Sequence, residues 1–260
     1  MSENVRNITL IGAGNLATHL GKRLFKQGYI FKQVFSRSLS NAKKLAEKIE
    51  SYEAIDDINQ INDTADLYII ALPDDTISSL NNILHLPNKL VIHTAGALKT
   101  DVLNNISNRR GVFYPLQTFS KSTNIDFSNI PILITANEKK DVQILKEIAE
   151  SISEDVRIIS DEERFKIHLA AVFACNFTNY MYHIADDILA KENIQLDVLI
   201  PLIESTLEKI KTNKPFDVQT GPANRGDVKT IAKHIESLED NKKYKAIYKL
   251  ISEAINNQIS

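Results

Sequence analysis

Glycines, one arginine and a few histidines and asparagines are the residues here whose types and spacing could do chemistry. The run Gly12-Ala13-Gly14-Asn15-Leu16-Ala17 suits a turn that brings backbone amides against a pyrophosphate. Gly12 permits a tight turn, Gly14 lets the backbone approach the phosphates, and Ala17 is small enough for close helix–strand packing. Ser36-Arg37-Ser38 follows the next strand-like segment, where an acidic residue would select the ribose hydroxyls of NAD. A guanidinium flanked by two hydroxyls instead suits a 2′-phosphate. The pattern predicts NADP(H).

Later strand ends supply the other candidates, because ligands of open α/β sheets lie outside the carboxyl ends of the strands. Leu72-Pro73-Asp74-Asp75 is expected as a rigid turn beside the cofactor ribose. His93-Thr94-Ala95-Gly96 is expected to place an imidazole and a hydroxyl at the nicotinamide end, with His93 touching cofactor or substrate. Pro115-Leu116-Gln117-Thr118-Phe119 adds Gln117 on the substrate side. Further along, His168, Asn176, Asn179, His183 and Asp186 fall within roughly a quarter-turn of one another at about 100° per helical residue. Asn176 and Asn179 are candidates for hydrogen bonds to a substrate, and His168 or His93 for proton transfer.

These residues require a scaffold, and the chain predicts one. Strands are expected at Ile8–Ile11, Gln33–Phe35, Leu67–Leu72, Leu90–His93, Gly111–Tyr114, Ile132–Thr135 and Val156–Ile159. Several are continuous Ile/Val/Leu runs, as in strands covered on both faces. Helix patterns lie between them at Leu16–Lys26, Asn41–Ile49, Thr76–Ile83 and Lys139–Ser151. This alternation predicts a doubly wound, parallel Rossmann sheet over residues 1–160. Ser160-Asp161-Glu162-Glu163 reads as a capping box opening one long helix from about Glu162 to Ala190. Asp197 and Asp227 read as caps of further helices, with Pro201 in a first turn, and a last helix runs from about Lys242 to Ile255. Residues 161–260 are therefore expected to form an all-α domain.

Composition narrows the partners. A net charge of −2 with both signs mixed lacks the basic patch that phosphate-backbone binding needs, so no nucleic acid is expected. The polar start Met1-Ser2-Glu3-Asn4-Val5-Arg6-Asn7 does not read as a signal peptide, and no apolar run reaches the roughly 18 residues of a membrane span. The single cysteine, Cys175, excludes an internal disulfide framework. A cytoplasmic protein that holds no metal is the expectation.

Taken together, Gly12–Ala17, Leu72–Asp75, His93–Leu98, Pro115–Phe119, Ala170–Asn176 and Thr220-Gly221-Pro222-Ala223-Asn224-Arg225-Gly226-Asp227 resemble a family of Rossmann-like proteins whose second half is a domain of unknown function. That family is related to pyrroline-5-carboxylate reductase and to the 6-phosphogluconate and 3-hydroxyacid dehydrogenases. The resemblance implies a helical dimerisation domain, a homodimer and an active site formed between domains, with Arg225 available for a substrate anion. It also implies an NADP(H)-dependent oxidoreductase acting on a small polar C=O, C=N or C–OH compound. The alternative is a non-catalytic NADP(H)-binding sensor or scaffold. A deazaflavin partner is conceivable, and an S-adenosylmethionine enzyme is disfavoured because no acidic residue closes the second strand. Two departures bear on the chemistry. Tyr114 stands where family members often carry His, which weakens an acid there, and Val172 stands where the hydroxyacid dehydrogenases place a catalytic Lys.

Overall fold

The protein is described by a computed structural model, which describes residues 5–120 and 125–257; the first four residues of the polar start lie outside them. Two compact units divide the chain, Met1–Val172 and Phe173–Ser260.

In the first unit, eight strands form one sheet: β1 (Asn7–Ile11), β2 (Ile30–Phe35), β3 (Glu53–Ile55), β4 (Leu67–Ile70), β5 (Leu90–His93), β6 (Arg109–Pro115), β7 (Ile132–Ala136) and β8 (Val156–Ile158). Their order is β3-β2-β1-β4-β5-β6-β7-β8. Every pairing is parallel except β6 with β7. The strand order reverses between β1 and β4, which makes that crevice the switch point of a doubly wound sheet. The short edge strand β3 escapes the sequence pattern, because Glu53-Ala54-Ile55 has neither the length nor the apolar run of a buried strand.

Side chains alternate between two cores, as the period of two demands. Leu67 and Ile69 join α1 (Asn15–Lys26), α2 (Leu39–Lys48) and α4 (Lys139–Glu150) on one face of the sheet. Tyr68 and Ile70 join α3 (Asp74–Leu80) on the other. With both faces covered, β4 and β5 are buried throughout, which is why they read as continuous apolar runs.

The capping box at Ser160 forms. Its hydroxyl accepts from the Glu163 amide at 3.1 Å, while the Glu163 carboxylate accepts from the Ser160 amide at 2.8 Å. The helix it opens is not uniform, however. α5 (Asp161–Ala171) passes into a π-helical segment, Val172–Phe177, before α6 (Thr178–Ala190). Bonds of the i→i+5 type widen the turn, so residues beyond it lag by about one position, or ~100°. The expected alignment of His168 with Asn176, Asn179, His183 and Asp186 is therefore shifted rather than regular: His168 precedes the wide turn, Asn176 lies within it, and Asn179, His183 and Asp186 keep only their mutual spacing along α6.

The second unit consists of helices. α7 (Ile200–Thr212) carries Pro201 in its first turn, but Asp197 does not cap it; a short 3-10 turn at Leu196–Leu199 precedes the helix and no side-chain cap bond forms. Asp227 does cap α8 (Val228–Ser237), accepting from the Thr230 amide at 3.1 Å. The last helix is α9 (Lys242–Asn257).

Candidate functional site

The turn after β1 is built around Gly12. Its φ is +128°, and a Cβ there would lie 2.3 Å from the Ala71 carbonyl oxygen, so both conformation and space demand glycine. Its amide donates to the Phe35 carbonyl at 2.8 Å, tying the turn to the end of β2. Gly14, the first residue of the helix cap, faces nothing within 4 Å of the position a Cβ would take. No side chain caps α1, and no acidic residue occupies its first turn. The amides of Asn15, Leu16 and Ala17 have no side-chain cap and stand at the positive end of a helix dipole, an arrangement that suits a pyrophosphate. Ala13 and Leu16 are half-buried beside it and Ala17 is buried against the core.

At the end of β2, Ser36 donates its amide to the Ile55 carbonyl, and its hydroxyl accepts from the Ser38 amide at 3.3 Å. Ser38 also caps α2, accepting from the Asn41 amide. Arg37 is exposed, and its guanidinium makes no ion pair with any described residue. A free bidentate cation in place of an acid fits a ribose 2′-phosphate. The residues present therefore fit NADP(H).

Across the switch point, Leu72 is half-buried and Pro73 precedes α3, whose first turn holds the exposed Asp74 and Asp75. A loop reaches back over α1 from the far side of β6. The Asn15 carboxamide donates to the Phe119 carbonyl at 2.9 Å, and His19 Nε2 lies 2.8 Å from the Ser120 carbonyl. In the same loop Gln117 turns its carboxamide oxygen onto the Thr118 amide at 2.8 Å, and its NH2 has no described partner.

His93 is fully buried. Its Nδ1 accepts from the Ala95 amide at 3.1 Å, which places the ring proton on Nε2, 3.3 Å from the Lys99 carbonyl. Burial first, and the Arg164 guanidinium second, push its pKa down to about 4. A neutral imidazole with both nitrogens committed to backbone holds a strand end in place and has no proton to exchange.

Beside it lies an unanticipated cluster. Arg164 of α5 is fully buried, donating to Thr135 Oγ1 at 3.0 Å, to Asp161 Oδ1 at 2.6 Å and to the Leu98 carbonyl. Burial alone would raise the Asp161 carboxyl, but the Thr100 amide, Arg164 and the Thr100 hydroxyl hold it below the usual carboxylate range. This clamp fixes the start of α5 against the strand ends. One turn later, His168 Nδ1 lies 3.1 Å from the Tyr114 hydroxyl, with the rings edge-on. Both pack on Gly96, where a Cβ would come within 2.6 Å of His168 Nδ1 and 2.8 Å of Tyr114 Cζ. The sequence holds Arg164 and Asp161 in the proper i,i+3 spacing, but their distant partners Thr100, Thr135 and Leu98 leave no mark on a periodicity.

The remaining candidates belong to the second unit. Asn176 lies within the π-helical segment and Asn179 in the first turn of α6, both exposed. Thr220–Ala223 border an apolar cavity of about 260 Å³ that Met181, Ile184 and Ile247 also line. Arg225, in the same loop, is exposed. Among the described residues no cluster of His, Cys, Asp and Glu could hold a metal ion, and no helix is long and apolar enough to cross a membrane.

Comparison with known proteins bears on both units. Residues 7–96 match the family described as "NADP oxidoreductase coenzyme F420-dependent", and residues 130–255 match "Domain of unknown function (DUF2520)". Among solved structures, a "putative NADP oxidoreductase" from Bacteroides fragilis is 41% identical, with a TM-score of 0.90, covering 97% of this chain and 98% of that one. A 1-pyrroline-5-carboxylate reductase from Streptococcus pyogenes shares the fold at 14% identity and a TM-score of 0.62, over 96% and 98% of the two chains. So does a reductive aminase from Aspergillus terreus in complex with NADPH, at 14% identity and 0.62 over 90% and 78%. No curated protein matches the chain.

Proposed function

This chain belongs to the NADP oxidoreductase family that includes the Bacteroides fragilis protein, and we propose that it moves a hydride between NADP(H) and a small polar compound at a C=O, C=N or C–OH carbon. The observation that carries the reading is the uncapped, acid-free end of α1 over the open space at Gly14, with the unpaired Arg37 at the end of β2. Amides of Asn15 to Ala17 would hold the pyrophosphate; Arg37, with Ser36 and Ser38, would hold the 2′-phosphate. Leu72, Pro73 and Asp74 would border the ribose next to the nicotinamide. The bound dinucleotide supplies the hydride, and the chain supplies orientation and a proton. His93 serves that orientation by fixing the β5 end rather than by relaying the proton. Asn176, Asn179, Gln117 and Arg225 are proposed substrate contacts, on the strength of the family resemblance. Turnover unaffected by Asn176→Ala removes the first of them.

Imine and carbonyl substrates are favoured by the neighbours, since a pyrroline carboxylate reductase and a reductive aminase share the fold. We also propose a homodimer. Among the described residues of the second unit only Ala223 ranks with the buried hydrophobic residues, while Val228, Leu250, Leu202 and Phe216 are each more than half exposed. Helices that bury so little of their own apolar surface need another surface to cover them, and a second copy supplies an identical helical face. A protein that works in the cytoplasm completes the proposal.

Parallel calorimetric titrations with NADPH and NADH test the cofactor assignment. NADPH is expected to bind more tightly, and Arg37→Ala to weaken NADPH by roughly tenfold or more while sparing NADH. Equal losses for both nucleotides refute the 2′-phosphate site. Binding without turnover of any carbonyl or imine compound would leave a sensor as the better reading.

A further inference from the structure

Two imidazoles stand at the β5 and β6 ends, and only one can exchange a proton. His93 is sealed, with Nδ1 and Nε2 both bonded to backbone. His168 is half-buried; its Nδ1 meets the Tyr114 hydroxyl, and its Nε2 has no described partner. Tyr114 sits one residue from the end of β6, half-buried. Gly96, at the end of β5, leaves just the space that the two rings fill together. The Arg164–Asp161 clamp one turn earlier on α5 fixes where His168 stands. These are strands of the half of a doubly wound sheet that takes the nicotinamide end of a dinucleotide.

We propose that Tyr114 Oη is the proton donor of this site and that His168 Nδ1 restores its proton. The inference rests on the oxidoreductase reading above and gives Tyr114, which does not stand out in the sequence as an acid, the central role. In reduction, a hydride forms the new C–H bond at the C=O or C=N carbon, and the π pair passes to oxygen or nitrogen. That atom takes the proton from Tyr114 Oη. The phenolate takes the Nδ1 proton of His168 as Nε2 collects one from solvent; His168 is left as its Nε2–H tautomer, and exchange of that proton through solvent back to Nδ1 resets the pair for the next turnover. Burial, with the nearby Asp74 carboxylate, raises the Tyr114 phenol above its ordinary value, so it arrives at the reaction protonated.

The test uses the full chain labelled with ¹⁵N at its histidine rings, the His168 signals being assigned through His168→Gln. Tyr114→Phe is expected to shift the His168 Nδ1 signal. NADPH is expected to move it in the wild type, whereas 2′-phospho-ADP-ribose, which lacks the nicotinamide, is expected to bind without moving it. With a cyclic imine or α-keto acid that the wild type reduces, Tyr114→Phe should lower kcat about 100-fold or more and leave the KM for NADPH unchanged. Bound NADPH with a silent His168, or full kcat in Tyr114→Phe, overturns the proton pair alone. No calorimetric binding of NADPH overturns the cofactor reading and the pair together.

Discussion

Acidification should cost this protein stability through one buried ring. His93 is fully buried and neutral, and its pKa stands at about 4 against an ordinary 6.5. The unfolded chain binds a proton at His93 as pH falls below its ordinary value, and the folded chain does not. Stability from this group is therefore complete at neutral pH and is lost progressively as pH falls from 6.5 toward 4. The whole difference corresponds to about 3 kcal/mol, of which about 2 kcal/mol is gone by a pH of about 5. His93→Gln keeps an amide that can reach the Lys99 carbonyl and removes the titration. Urea unfolding, followed at several pH values between about 7 and 5, should show the wild type losing about 2 kcal/mol more than the variant. Carboxylates such as Asp161 titrate in both proteins, so only the difference between the two slopes is diagnostic. Parallel slopes would show that His93 takes up its proton without penalty, and the argument from burial would fail.

Three further outcomes follow from the same contacts. Gly14→Val should leave folding intact, since its position opens onto free space with an ordinary negative φ of −75°, yet should abolish NADPH binding; Gly12→Ala should fail to fold normally, because its Cβ would strike the Ala71 carbonyl. Thermal melting with and without NADPH separates the two, and a Gly14→Val variant that still binds NADPH contradicts the cradle. Arg164→Met should cost about 3 kcal/mol by leaving Asp161 in a mostly buried place without its cation, read as a fall in the unfolding midpoint; an unchanged midpoint removes the clamp. Light scattering should give twice the 29.3 kDa chain mass, and Leu202→Asp with Leu250→Asp should lower it toward the monomer. A wild-type monomer at micromolar concentration refutes the dimer.

The sequence by itself determined the nucleotide-binding half. Buried parallel strands need continuous apolar runs, a pyrophosphate turn needs glycine at set positions, and helices begin at Ser, Asp or Pro, so β4, β5, the Gly12–Ala17 turn, the Ser160 capping box and the Asp227 cap were all legible locally. Arg37 was legible as a candidate, because its place just after β2 is predictable from the strand pattern. What tertiary structure alone decided was each question of partnership. His93 reads as a catalytic candidate until the Ala95 amide and the Lys99 carbonyl are seen on its two nitrogens. Arg164 reads as a helix-surface charge until Thr135, Leu98 and Asp161 surround it. The π-helical turn at Val172–Phe177 changes which face His168 shares, and nothing in the spacing of apolar residues announces it. Tyr114, Gly96 and His168 are far apart in the chain and carry no common motif. Hydrogen bonds between distant residues leave no period in a sequence, and only the folding of α5 onto the ends of β5 and β6 brings those three side by side.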